Sequence, residues 1–186
     1  MGAPKAGLLA PGVFLGIAQD MGVMASIDQW VLRQSLKYCA QLMAAGKEVP
    51  LSINLSVDSL ADMYLAERVA AALEDANVPA RLLEVEIPEG TLMRDVGASG
   101  KVLAELHAMG VRISIDDFGT GYSSFAYLAQ FPVHALKIDR SFVNEIVTSE
   151  TSRKIVRGIV RLAHSLSLEV VAEGRRANRR WGGCAE

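Results

Sequence analysis

The apolar positions of this chain switch between a helical and an extended period along its length, and the switches mark out alternating helices and strands. Val13, Phe14, Ile17, Ala18 and Met21 recur at helical spacing between Pro11 and Gly22, which predicts a short helix with proline near its start and glycine at its end. Trp30, Val31, Gln34, Tyr38, Leu42 and Met43 follow the 3.6-residue period, so a longer helix is expected from about Ser26 to Ala45, stopped by Gly46. A strand, Leu51 to Leu55, follows. The same alternation continues with a helix from about Leu65 to Ala76, a strand from Leu82 to Ile87, a helix from about Ala98 to Met109 and a strand from Val111 to Asp116. A loop and a short helix near Phe125 to Ala129 lead to the strand Ala135 to Ile138, a helix from about Ser152 to Leu166 and a last strand, Leu168 to Ala172.

Strands that alternate with helices in this order predict a parallel α/β sheet. The strands read as β-branched and apolar, without clean polar alternation, as expected of strands covered on both faces. Periodicity alone leaves a barrel and a doubly wound sheet equally open.

Composition narrows the class. With 186 residues, 51% of them hydrophobic, the chain has enough apolar material for one sizeable core. A formal net charge of −2 gives no basic field that would draw a nucleic-acid polymer or an anionic membrane, so any phosphate-bearing ligand must be held locally. Cys39 and Cys184 are far apart and lack metal-ligand spacing, and no apolar run approaches the roughly 18 residues that a membrane span requires. A cytoplasmic location is expected. After Gly174 the composition shifts abruptly: Arg175 to Glu186 carries four arginines without helical or strand period and reads as a tail.

The chemistry is concentrated where polar residues end the strands: Asn54, Glu86, Asp116 with Asp117, Lys137 with Asp139, and Glu173. Parallel strands joined by right-handed crossovers bring their C-terminal ends to one rim. Carboxylates and an amide gathered there would repel one another unless cations neutralised them, and such hard oxygen donors suit Mg²⁺ or Mn²⁺. Asp116 and Asp117 are adjacent, which fits a two-metal arrangement in which one acid bridges and the other binds a single ion. Taken singly, each residue has a plainer explanation. Asn54 can end a strand at a turn, Glu86 and Glu89 can be a solvated loop pair, and Lys137 can be a surface lysine. The conjunction argues for a site. His107, His134 and His164 read as structural or exposed, and the Gly119 and Gly121 spacing is not that of a P-loop.

Five segments carry a specific resemblance: Ser52 to Ser56, Glu84 to Glu89, Asp116 to Ser124, Leu136 to Val143 and Val170 to Gly174. In order and spacing they resemble successive motifs of the EAL domain family over roughly residues 11–174. The resemblance implies a TIM-like (β/α) barrel that binds cyclic di-GMP and hydrolyses one phosphodiester to the linear dinucleotide with two Mg²⁺ or Mn²⁺ ions. Carried over by position, Asn54, Glu86 and Asp116 resemble the ligands of one metal, and Asp116, Asp117 and Glu173 those of the other. Lys137 resembles the lysine that contacts the catalytic water. Glu89 resembles the glutamate that orders the loop after Asp117, the segment near Thr120 to Ser124 that couples to dimerisation in the family. Asp139 and Arg140 correspond to substrate-binding positions.

The sequence departs from the family pattern at both ends. No Glu-Ala-Leu motif occurs in it, and Arg176 stands where a second glutamate is expected after Ala172-Glu173-Gly174. Residues 1–10 and 175–186 are accordingly expected to lie outside the family segment, and the barrel to be incomplete, with its first and last strands missing. Two consequences are expected: turnover below that of a complete domain, and open sheet edges that favour a homo-oligomer. The alternative is a module that binds cyclic di-GMP, or a protein partner, without cutting a phosphodiester.

Overall fold

A computed structural model of the protein describes residues 9–92, 96–121 and 128–172. Its helices are α1 (Pro11–Asp20), α2 (Met24–Ala44), α3 (Val57–Leu60), α4 (Leu65–Ala76), α5 (Glu89–Leu92), α6 (Val96–Ala108), α7 (Arg140–Glu145) and α8 (Glu150–Ser165). The strands are β1 (Leu51–Asn54), β2 (Leu83–Pro88), β3 (Arg112–Phe118), β4 (Ala135–Ile138) and β5 (Glu169–Ala172).

The five strands are all parallel and lie side by side in chain order, β1-β2-β3-β4-β5. A doubly wound sheet reverses its strand order at a switch point, whereas a barrel wall advances steadily in one direction. The observed order is that of a barrel wall. Among the described residues the wall does not close, because β1 and β5 each pair on one side only. This is an incomplete TIM-like α/β barrel.

Contrary to the expectation of uniformly apolar strands, the two faces of the sheet differ. Register places Leu51, Ile53, Leu83, Val85, Ile87, Ile113, Ile115, Leu136 and Ile138 on one face. Those of β2, β3 and β4 are at most 2% exposed and join Leu36, Cys39, Val69, Leu103 and Leu106 from the helices in a single core. Ser52, Asn54, Glu84, Glu86, Arg112, Ser114, Asp116, Lys137 and Glu169 line the opposite face. The alternation is strict in β2 and in the first five residues of β3. It supplies a polar inner surface on which a site can be built.

Local signals explain the boundaries. Ser56 caps α3 by accepting the amide of Ser59, Asn77 ends α4 in the left-handed conformation (φ 51°), and Ser149 caps α8 by accepting the amide of Ser152. Two helices face differently from the expectation. In α1 and its C-terminal cap, Val13, Ile17 and Met21 are 60–69% exposed, and only Ala18 of the helix is buried. In α2 the buried row is Asp28, Leu32, Leu36 and Cys39, while Trp30 and Tyr38 face outward. Among the described residues no helix is long and apolar enough to cross a membrane.

Candidate functional site

The polar face carries two tiers of charge. Lower on the sheet, Arg112 on β3 lies between an acid on the adjoining β2 and one on β5, its Nε 3.6 Å from Glu84 and its Nη2 2.7 Å from Glu169. Higher up, toward the strand C-termini, Lys137 Nζ lies 2.8 Å from Glu86 Oε2 and 3.7 Å from Asp116 Oδ1. These three side chains are 10–16% exposed, so the charges partly leave water and neutralise one another. Between the tiers sits Ser114, the register partner of Glu86, fully buried and with no hydrogen-bond partner for its Oγ among the described residues.

Asn54 is brought to the same rim by the ladder. It is the register partner of Glu86, and the next amide, that of Leu55, donates to the Glu86 carbonyl at 2.9 Å. Behind it a buried anchor fixes the chain: Asp28 on α2 accepts the Ser56 amide at 2.8 Å and the Ser59 hydroxyl at 2.6 Å. Sequence reasoning overlooked Asp28. Its signal is the phase of α2, since it falls one turn before Leu32 on the buried row.

The Asp116-Asp117 pair owes its geometry to an irregularity. Ile115 pairs with Leu136 and Phe118 with Ile138, so β3 uses three steps where β4 uses two. This is a bulge, a device that re-aims side chains at the edge of a site. Asp117 takes the left-handed conformation at φ 53°, and its amide donates to Asp116 Oδ1 at 2.9 Å. Adjacent strand residues normally face opposite ways. Here Asp117 is exposed at the end of β3 while Asp116 stays on the inner face.

The turn after the bulge is held from the start of α5, directly after β2. Glu89, 3% exposed, accepts the amides of Gly119 at 2.8 Å and Gly121 at 3.2 Å. Carboxylate-to-amide bonds of this kind are among the stronger ones available to a chain. Asp139 begins α7 as its cap, accepting the Ser141 amide at 2.8 Å and the Ser141 hydroxyl as well. The Ser141 hydroxyl, then its amide, hold the Asp139 carboxyl below its ordinary range, with a smaller contribution from hydrogen bonding with Asp117. Arg140, the first residue of α7, is exposed.

The structure thus brings Asn54, Glu86, Asp116 and Lys137 together at one rim, with Asp117, Asp139 and Arg140 following the ends of β3 and β4. Glu173, the residues from Tyr122 to Tyr127 and the tail lie outside the described residues. Among the described residues no group of three or more His, Cys, Asp or Glu side chains converges to hold a metal. The donors that do meet are two carboxylates with an amide on the adjoining strand, a hard-oxygen set. Glu86 and Asp116 already share one cation, the Lys137 ammonium, so the pair fits a cation site.

Comparison with known proteins follows the same outline. Residues 1–174 match the family model for the EAL domain. The cyclic di-GMP phosphodiesterase NbdA of Pseudomonas aeruginosa is 41% identical over 172 residues, which are 92% of this chain and 22% of that protein. The signaling protein YkoW of Bacillus subtilis is 39% identical over 171 residues, 92% of this chain and 21% of that protein. The chain therefore spans about a fifth of the length of these curated relatives. Among solved structures, the PaMucR phosphodiesterase in complex with c-di-GMP superposes with a TM-score of 0.88 at 40% identity, over 94% of this chain and 71% of that one. The EAL enzyme Bd1971, bound to cAMP and cyclic-di-GMP, superposes with a TM-score of 0.84 at 32% identity, over 92% and 48% of the two chains.

Proposed function

The chain belongs to the EAL domain family, and from that membership we propose that its rim binds cyclic di-GMP and hydrolyses one phosphodiester to give the linear dinucleotide. The observation that carries this reading is the meeting of Glu86, Asp116 and Lys137 on three neighbouring strands, beside Asn54. Asn54, Glu86 and Asp116 would hold one Mg²⁺ or Mn²⁺ ion, and Asp116, Asp117 and Glu173 a second. Bound ions supply charge neutralisation and activation of water, the usual contribution of divalent metals to phosphodiester cleavage.

The residues themselves have separate tasks in this reading. Lys137 orients the attacking water and carries positive charge toward the phosphate. Glu89 fixes the turn after Asp117 through the Gly119 and Gly121 amides, and so fixes where the Asp117 carboxylate can point. Asp139 and Arg140 meet the substrate at the mouth of β4. Among the described residues β1 and β5 each pair on one side only, and edges of that kind favour self-association, expected as a species larger than the monomer in light scattering.

The reading is tested by incubating the chain with cyclic di-GMP and Mn²⁺ and separating the nucleotides by anion exchange. Linear dinucleotide formed only with metal supports hydrolysis. Retained cyclic ligand without product favours the binding-module alternative.

A further inference from the structure

In this structure a cation is built into the proposed metal rim. Lys137 Nζ approaches Glu86 at 2.8 Å and Asp116 at 3.7 Å, and the side chains of all three are no more than 16% exposed. Two carboxylates this close, on adjacent strands and partly out of water, repel each other unless a positive charge sits between them. Lys137 reaches them from β4, on the same face of the sheet. A divalent ion claiming the same carboxylates must therefore take them from an ammonium, or share them with it.

Resting on the metal reading above, we propose that Lys137 is the internal counter-cation of the rim: it offsets part of the negative charge of Glu86 and Asp116 when metal is absent, and metal binding is an exchange of cations at these two carboxylates. Two consequences follow with opposite signs. The metal-free protein is stabilised by Lys137, because without it two largely buried carboxylates lose the ammonium they share. Metal affinity is weakened by Lys137, because a positive charge next to the ion opposes its entry. The lysine thus limits how tightly the rim holds a metal, whatever else it does for a substrate.

The experiment uses the full chain and Mn²⁺ alone, with no nucleotide. Free Mn²⁺ is followed by electron paramagnetic resonance for the unsubstituted protein, Lys137→Met, Lys137→Gln and Lys137→Arg, and melting temperatures are taken in chelator and in excess Mn²⁺. Both neutral variants are expected to bind Mn²⁺ more tightly, on the order of tenfold for removing one nearby charge. They are also expected to melt lower in chelator and to gain more from Mn²⁺ than the unsubstituted protein does. Lys137→Arg keeps the charge and should stay near the unsubstituted affinity. Equal or weaker Mn²⁺ binding by folded Lys137→Met and Lys137→Gln overturns the exchange while leaving the metal reading in place. If no form of the protein binds Mn²⁺, the metal reading itself fails and the exchange falls with it.

Discussion

Glu89 and Gly119 are joined by a hydrogen bond of 2.8 Å across thirty residues of sequence, the Gly119 amide donating to a carboxylate that is almost wholly buried. The same oxygen takes the Gly121 amide at 3.2 Å, so one acid on α5 holds the whole turn after β3. Glu89→Ala removes the acceptor of two amides, and a loss of about 1–3 kcal/mol is expected from urea unfolding. Faster amide exchange at Gly119 and Gly121 should accompany it, whereas unchanged exchange would show that the turn stands without Glu89.

At Gly119 a side chain would be strained and crowded. Its φ is 101°, and a Cβ there would lie 3.0 Å from Ile159 Cδ1 and 3.1 Å from Phe142 Cε2. Gly119→Ala should cost roughly 1–3 kcal/mol through backbone strain alone. Gly158, in the middle of α8 with nothing within 4 Å of its missing Cβ, is the internal control. There an alanine should stabilise by about 0.5–1 kcal/mol, giving shifts of opposite sign in thermal melts of the two variants.

The anchor behind Asn54 makes a separate prediction. Asp28→Ala leaves the Ser56 amide and the Ser59 hydroxyl without their acceptor, and hydrogen bonds to a charged group contribute about 1.5–3 kcal/mol each to stability. Asp28→Asn keeps an acceptor oxygen and should lose less. Denaturant midpoints in the order unsubstituted, Asn, Ala are expected; equal midpoints would deny Asp28 its role.

Acid should weaken the fold through His134. Its Nδ1 accepts the Ile113 amide at 3.1 Å, so the ring is held neutral. Burial, then the charge of Arg112, then His107, lower its pKa below the ordinary 6.5. The unfolded chain takes up a proton near pH 6.5 that the folded chain still refuses. Stability from this group is therefore complete above about pH 6.5 and is lost as pH falls from there through the lower folded value. Urea midpoints between pH 7.5 and 5.5 should fall, and His134→Gln should flatten that fall.

The rim was legible because of where parallel strands end. Asn54, Glu86, Asp116 and Lys137 each lie at or within two residues of the C-terminal end of a strand, and right-handed crossovers bring such ends together whatever their separation in sequence. Periodicity did not choose the barrel over a doubly wound sheet, since that choice lies in strand order; the resemblance of the five motif segments did. The polar inner face was present in Leu83-Glu84-Val85-Glu86-Ile87 and in Arg112-Ile113-Ser114-Ile115-Asp116 but is masked in β1, β4 and β5, strands of only four residues. α5 and α7, four and six residues long, are too short for a hydrophobic period to register. Val13, Ile17 and Met21 gave a correct helix but not its facing, because spacing reports a stripe without saying what covers it.

The central claim, that Glu86 and its neighbours form a metal-dependent cyclic di-GMP site, is tested most directly by calorimetric titration of cyclic di-GMP into the chain with Mn²⁺ and with chelator, beside Glu86→Ala. Binding that requires Mn²⁺ and is lost in Glu86→Ala is the predicted result. Binding of equal strength in chelator or in Glu86→Ala, or no binding by a folded chain under any of these conditions, would contradict it.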